Sequence, residues 1–525
     1  MKKLLSLIAL LIGTNLVYAS SIRVAENVTQ NTTWAADTVF VDDTITVSSG
    51  VTLTIAPGTN VIFGVRRHLD ILGVLHAVGT ETDSIVFRGN MAEDYGSWDG
   101  LRFNDGRRAD GVQDTSKFVY VRIMSAINHS SYRPYKAPIY MGVNTKLQIL
   151  HSEIKYLYGD YGGAIFCDTA SSLVIDHSVI EKCETRVGGG GAVYASLESV
   201  NLQIRNSVFR ENEARYGGAL YLGGGVTATI DNCVFWRNVF ENPNYNDNWW
   251  GGGAVMISSS NVTMRNSLIA RNSTSARGGG IAILGSSPRL INLTIALNAA
   301  YRGCGIYIRN TASRVSSPEI INTVIDRNGP SVGNPKQDTT GWAIYLDTGA
   351  TAKIRYSLLS YTPVQAAGGP VTGDFENLRI GTAAFFSIFN PDPSDSIAYF
   401  LPDPYMSDLR NAGTPDTAGL GLFPTDIKGQ NRIIGGRIDI GALESEADST
   451  VFVGVNRPLK PEHFPAGEYQ IRVYSLKGQL LGQFSDIVSP SSVQGAVSRR
   501  FPSGVFICRL KNGAGQIRSK RIRVD

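Results

Sequence analysis

Cysteine, net charge and long apolar runs are all scarce in this chain. The five cysteines, Cys167, Cys183, Cys233, Cys304 and Cys508, are scattered and odd in number, which excludes a dense disulfide framework and leaves isolated buried thiols as the expectation. A formal net charge of +4 over 525 residues argues against a polyanion such as nucleic acid as the main partner. Past the first residues no stretch reaches the roughly 18 consecutive apolar residues that span a bilayer, so no transmembrane segment is expected in the mature chain. What is abundant is glycine, 56 residues, together with Val, Ile and Leu, a combination that supplies a core and separates the chain from disordered low-complexity sequence.

Lys2 and Lys3, then a run of Leu, Ile and Ala, then Val17-Tyr18-Ala19 before Ser20 follow the order of a secretory signal peptide. Residues 1–19 are therefore expected to be removed on export.

Between about 149 and 360 one pattern recurs: an aliphatic residue, a variable position, Asn, a small residue, two apolar residues, two variable positions, Asn, then Gly-Gly and a strand. It spans Ile204 to Asn212, Ile230 to Asn238, Met264 to Asn272, Leu290 to Asn298 and Ile320 to Asn328. A step of about 26 residues, longer where loops such as 241–249 are inserted, is one coil of a solenoid with several short strands. Leucine-rich repeats lack this spacing, and Gly-Gly in every unit excludes helical repeats. Stacked coils place like Asn side chains about 4.8 Å apart, where amides bond one another and the turn backbone. His151 and His177 hold the first Asn position in two earlier coils and Cys183 the second.

The strand after Gly-Gly keeps one register over seven coils. Ile165, Val193, Leu220, Val255, Ile281, Ile306 and Ile344 form one inward column, and Cys167, Ala195, Leu222, Ile257, Ile283, Ile308 and Leu346 another. The column between them must face outward: Phe166, Tyr194, Tyr221, Met256, Ala282, Tyr307 and Tyr345.

Upstream, Pro57-Gly58-Thr59-Asn60-Val61-Ile62-Phe63, Leu69 to Ala77, Ile85-Val86-Phe87 and Trp98 to Phe103 read as less regular opening coils, and their order resembles the start of many secreted bacterial right-handed β-helix proteins. After about 360, Ser407 to Gly413, Asp426 to Arg432 and Ile438 to Glu444 resemble the closing segment of β-helix proteins called choice-of-anchor Q, although Leu443 stands where that family usually has an aromatic residue. Tyr469 to Leu481 with Lys477-Gly478, Pro502 to Leu510, and Lys520 to Val524 resemble a type IX secretion sorting domain, which implies a small β-sandwich read by an outer-membrane export machine; an ordinary accessory β-sandwich has the same hairpin signals. The expected fold class is thus all-β: a right-handed parallel β-helix (solenoid), its hand implied by resemblance alone, followed by a small C-terminal β-sandwich. The expected divisions are a signal peptide over 1–19, an N-terminal cap over 20–50, the parallel β-helix over 51–360, its irregular C-terminal end over 361–445, and a sorting or anchoring domain over 446–525.

A row of outward rings at coil spacing offers stacking platforms for the apolar faces of sugars. The expected ligand-binding residues are Phe166, Tyr194, Tyr221, Tyr307 and Tyr345, with Tyr245, Trp249 and Trp250 of an inserted loop as a wall beside them. Loops laid over the stripe, or simple coil-on-coil packing, would produce the same pattern. The expected function is an exported surface or secreted protein, adhesin-like and non-catalytic, that binds extracellular or cell-wall polysaccharide, with the secretion machinery as partner of the final domain. Polysaccharide lyase or glycoside hydrolase is the alternative, by analogy of fold. Asp160, Asp168 and Glu184 lie near the stripe by register, with Asp168 outward, but no convergent acidic cluster emerges and catalytic residues stay unassigned. Asp176, Arg205, Asp231 and Arg265 alternate in sign on successive coils as a surface ion-pair ladder would. No metal site or cofactor is expected: two stacked histidines lack a third ligand, and the Gly-rich runs lack both the aspartates of calcium-binding repeats and the helix of a phosphate loop. Trp98 and Trp342 are expected to pack rather than bind.

Overall fold

The computed structural model describes residues 20–90, 98–104, 114–127, 136–185, 187–240, 251–330, 343–360, 364–366, 373–381, 383, 400, 402, 408–434, 436–445, 467–474, 480–488, 497, 499–500, 504–512 and 517–524. Alternating apolar residues in short runs make strands, and corner residues turn the chain between them. One coil shows the plan. Val193–Ala195 belongs to a first sheet, Asn201–Arg205 to a second, Val208–Arg210 to a third and Glu213–Ala214 to a short fourth, after which a glycine turn leads to Leu220–Leu222, back in the first. Every strand pairs in parallel with its equivalent one coil away, as Val193↔Leu220, Ile204↔Ile230 and Phe209↔Phe235. Among the described residues the four sheets hold 12, 13, 14 and 7 strands, so the stack is long enough to bury a continuous core of its own. Both inward columns read from the sequence lie in that core and are fully buried.

The corners explain the repeated polar residues. The first Asn of each unit turns the chain with a left-handed backbone, φ being 50° at Asn206, 54° at Asn232, 55° at Asn266, 53° at Asn292 and 55° at Asn322. Asparagine tolerates that conformation better than most residues because its short amide bonds locally. The second Asn points inward instead. Asn212 Nδ2 donates to Asn238 Oδ1 at 3.0 Å, Asn238 Nδ2 to Asn272 Oδ1 at 2.9 Å, Asn272 Nδ2 to Asn298 Oδ1 at 2.9 Å and Asn298 Nδ2 to Asn328 Oδ1 at 2.9 Å. His151 and His177 adopt the same left-handed turn, and their rings stack at 4.8 Å as members of the first column. In the glycine turn, Gly190 needs its φ of +66°, and a Cβ on Gly191 would lie 2.2 Å from the carbonyl oxygen of Gly218 on the next coil. Cys167, Cys183 and Cys233 are buried thiols that burial pushes up to about 12, and Cys304 is buried with them.

The N-terminal end departs from the expected divisions. Residues 20–50, expected as a cap, already contribute Ser21–Val24, Thr32–Trp34, Thr38–Val41 and Ile45–Val47 to the long parallel sheets, because their apolar residues alternate like those of later coils. At the other end strands continue past 360 through Val364–Ala366, Gly373–Glu376 and Arg379–Ile380. The chain then folds back: Phe400, Leu409, Ile440 and Leu443 pack on Val234, Leu268, Val324 and Leu358, the outward side chains of the third sheet. The last described strands, Leu480–Val488, Gly467–Tyr474, Gly504–Asn512 and Ile517–Val524 in spatial order, form one antiparallel sheet. No helix among the described residues is long and apolar enough to cross a membrane.

Candidate functional site

Of the three long sheets, the third is covered by the chain's own closing segment and the second carries an ion-pair ladder. Arg205 bonds Asp176 at 2.8 Å, Arg265 grips Asp231 with two bonds of 2.7 and 2.8 Å, and Arg289 bonds Glu319 at 2.9 Å, each pair joining neighbouring coils. Such pairs hold register and leave little free chemistry. The outer face of the first sheet is different.

Pairing along that sheet sets Asp70, Arg102, Tyr140, Phe166, Tyr194 and Tyr221 in one outward line, continued by Met256, Ala282, Tyr307 and Tyr345. The aromatic column does face away from the core, but much of it does not meet water. Phe166 and Tyr307 are fully buried and Tyr345 is 7% exposed, while Tyr194 and Tyr221 are half-buried. The rings stack on one another almost parallel: Tyr140 on Phe166 at 5.7 Å, Phe166 on Tyr194 at 5.4 Å, Tyr194 on Tyr221 at 4.8 Å, and Tyr307 on Tyr345 at 5.9 Å. Coil spacing is close to ring-stacking distance, so the ring faces are consumed by their neighbours and only their edges and hydroxyls remain. Tyr245, Trp249 and Trp250, and Trp342, lie outside the described residues; Trp98 is fully buried, stacked on Phe63 at 4.3 Å.

A second column runs beside the first, supplied by the residue just before four of the glycine turns, Tyr161, Tyr216, Arg277 and Arg302, with Gly189 and Gly251 at the equivalent position in the coils between. Tyr161 stands at 73° to Tyr194 and Tyr216 at 65° to Tyr221, forming a wall along the stack. Glycines make room for it, since a Cβ on Gly188 would sit 2.2 Å from the Tyr161 ring and one on Gly189 2.8 Å from the Tyr221 ring. Lys136 lies over the rings of Tyr161 and Phe166. Sequence reasoning missed this column although its signal was present, in that all four residues directly precede Gly-Gly or Gly-Cys-Gly.

Hydroxyls of the stripe lean toward the next coil. Tyr140 donates to Asp168 Oδ2 at 2.8 Å, and Tyr307 donates to Asp347 Oδ2. Arg277 lies over the Tyr307 ring, donates to its hydroxyl at 2.8 Å, and sits 3.8 Å from Asp347; Arg309 is 3.6 Å from the same carboxylate. Burial alone would raise Asp347, but the hydrogen bonds from Tyr307 and Thr348 and the charges of Arg277 and Arg309 outweigh it and hold it below the usual carboxylate range. Burial pushes Tyr221 up to about 12 and raises Tyr194 and Tyr307 as well, so all three remain protonated hydroxyls at neutral pH. At the head of the column His68 Nε2 lies 2.7 Å from Arg102 and 3.4 Å from Asp70, with Asp99 3.5 Å from Arg102. No group of three potential ligands positioned for a metal occurs among the described residues.

Residues 236–373 match the family model of the right-handed β-helix region, and the fold is a right-handed parallel β-helix. Metabotropic glutamate receptor-like protein R of Dictyostelium discoideum is 30% identical over 118 residues, 22% of this chain, and the match spans 7% of that protein's length. The crystal structure of pectate lyase Pel9A is similar with a TM-score of 0.34 and 13% identity over 76% of this chain and 89% of that one.

Proposed function

We propose that this chain is an exported surface or secreted β-helix protein that holds an extended polysaccharide along the outer face of its first sheet and does not cleave it. The observation that carries the reading is the group of half-buried tyrosines Tyr161, Tyr194, Tyr216 and Tyr221, which sets two rings upright beside two stacked ones and presents aromatic edges with hydroxyls over two coil steps. Sugars need that pairing of apolar surface and hydrogen-bonding groups. The two carboxylates that the stripe hydroxyls engage, Asp168 and Asp347, are six coils apart, about 29 Å at ~4.8 Å per coil, and so cannot act as a pair where the reaction needs roughly 5–10 Å. The leader-like residues 1–19 and the antiparallel terminal sheet support export followed by sorting at the outer membrane.

The test is a glycan array on the full chain, paired with reducing-sugar and unsaturated-uronate assays on every polymer retained. Binding without product release is expected, with Tyr194→Ala/Tyr221→Ala weakening it about tenfold or more, as the loss of two aromatic contacts of about 1 kcal/mol each predicts. A silent array, or turnover of a bound polymer, would sink the reading.

A further inference from the structure

The corner between the second and third sheets is covered over only part of its length. Where the closing segment lies on it, the first Asn column holds polypeptide backbone in a repeated way. Asn322 Nδ2 donates to Asn292 Oδ1 on the preceding coil at 2.8 Å and to the carbonyl oxygen of Asp439 at 2.8 Å, while Asn322 Oδ1 accepts from the Thr414 amide at 3.0 Å. Asn266 repeats the arrangement, its Nδ2 donating to Asn232 Oδ1 and to the Thr425 carbonyl oxygen at 3.3 Å. A side-chain amide has two N–H donors, so one builds the ladder and the other bonds what lies on the corner. Apolar contacts flank these bonds on the third sheet, where Leu409, Ile440 and Leu443 join one cluster with Val234, Leu268 and Val324.

The two preceding members of the column make the first bond and lack the second. Asn232 Nδ2 donates to Asn206 Oδ1 at 3.2 Å, and Asn206 Nδ2 donates to Asp176 Oδ1 at 2.9 Å. Both side chains are half-buried, and the remaining N–H of each has no partner among the described residues. Beside them Val179, Val208 and Val234 form one outward column of the third sheet; Val234 is buried at the edge of the closing segment, whereas Val179 and Val208 are half-buried. Val208 already packs against the cluster under that segment. Upstream of Asn206 the corner continues as the exposed, stacked rings of His177 and His151. The pattern that holds the closing segment thus runs on uncovered for three coil steps, about 14 Å at ~4.8 Å per coil, room for roughly four residues of extended chain.

We propose that this uncovered stretch is a docking track for an extended polypeptide segment of a partner protein, whose backbone carbonyls accept from Asn206 and Asn232 and whose aliphatic side chains lie on Val179 and Val208. Carbonyl contacts are the same for every sequence, so the asparagines supply affinity and the valines select apolar side chains. A polypeptide is favoured over a glycan because Asn266, the next member of the same column, already spends its second N–H on a peptide carbonyl, and because the apolar interface of the closing segment is continuous with Val208. The track lies away from the tyrosine group on the first sheet, so the proposal goes beyond polysaccharide binding and does not depend on it.

The experiment presents the full chain to an array of random dodecapeptides and to an array of oligosaccharides, and titrates the peptides that are retained. Those peptides are expected to be rich in Val, Leu and Ile, and to bind about tenfold or more weakly to Asn206→Gly/Asn232→Gly, which removes two hydrogen bonds to carbonyl groups. Glycine adopts the left-handed turns of these positions without strain, and an unchanged urea midpoint shows that the fold is intact. Val179→Lys/Val208→Lys leaves both turns and both amides in place and should weaken the same peptides to a similar degree. An array that retains no peptide, or retained peptides indifferent to both double variants, overturns the proposal. Oligosaccharides that bind and are lost in Asn206→Gly/Asn232→Gly while no peptide binds overturn it too, and assign the corner to a glycan.

Discussion

Asn238 makes four hydrogen bonds with one buried side chain. Its Oδ1 accepts from the backbone and the amide of Asn212 at 3.1 and 3.0 Å, and its Nδ2 donates to Phe209 O and Asn272 Oδ1, both at 2.9 Å. Truncation would remove hydrogen bonds from buried groups on both neighbouring coils, Asn212 and Phe209 on one and Asn272 on the other, so Asn238→Ala is expected to lower stability by about 2–4 kcal/mol, read as the urea midpoint. Asn206, half-buried at the other corner, should cost less on the same change, about 1–2 kcal/mol for its left-handed turn. The two columns look alike in the sequence because both repeat Asn at coil spacing; the unequal energies of Asn238 and Asn206 come from one side chain pointing into the core and the other lying at its rim. The aromatic column shows the converse. Its outward direction follows from strand alternation, yet the burial of Phe166 and Tyr307 depends on residues that are distant in sequence, Lys136 over the one and Arg277 over the other.

At the scale of elements, the closing segment is the least expected part of the molecule. It lays apolar side chains on the third sheet and drives Arg432 into the first Asn column, where the guanidinium bonds Asn266 Oδ1 and pairs with Glu444 at 2.9 Å, both side chains being buried. Asn292 Nδ2, one coil on, is left without a partner, so the first ladder is interrupted where the segment docks. Replacing Arg432 with Met strands a buried carboxyl beside Asp426 and Asp439, and a loss of about 3–5 kcal/mol in docking is expected, visible as faster proteolysis between 400 and 445. Docking should also depend on pH. Asp326, buried under the segment and accepting from the Ala383 amide, is pushed up to about 6 by burial, and burial likewise lifts Glu444 to about 8 although Arg432 pulls it back. A carboxyl with a higher value folded than unfolded binds more protons in the folded state, so stability falls as pH rises through that window. Protection of the segment should therefore be greatest below about pH 4 and decline toward pH 8; protection that rises over the same range would contradict it.

For the whole molecule, each coil touches chiefly its two neighbours, and stability becomes a sum of local terms that is weakest at the ends. Amide hydrogen exchange should be slowest in the central strands Val255–Ser258 and Ile281–Leu284 and fastest in Ser21–Val24, whose side chains are largely exposed. Uniform protection along the axis would argue for one cooperative unit instead. The proposed export gives a second expectation, that deletion of residues 446–525 traps the chain in the periplasm; continued release would make the terminal sheet an accessory module. The amino-acid sequence by itself determined the coil, its register, both asparagine columns and which strand residues face inward, because each coil repeats the same local instruction and a slip of one residue would turn the core side chains outward. Only the tertiary structure decided which outer face stays available among the described residues, because that depends on contacts between segments that share no repeat: the closing segment packs on the third sheet, ion pairs occupy the second, and on the first the residues before the glycine turns close over some rings and leave others open.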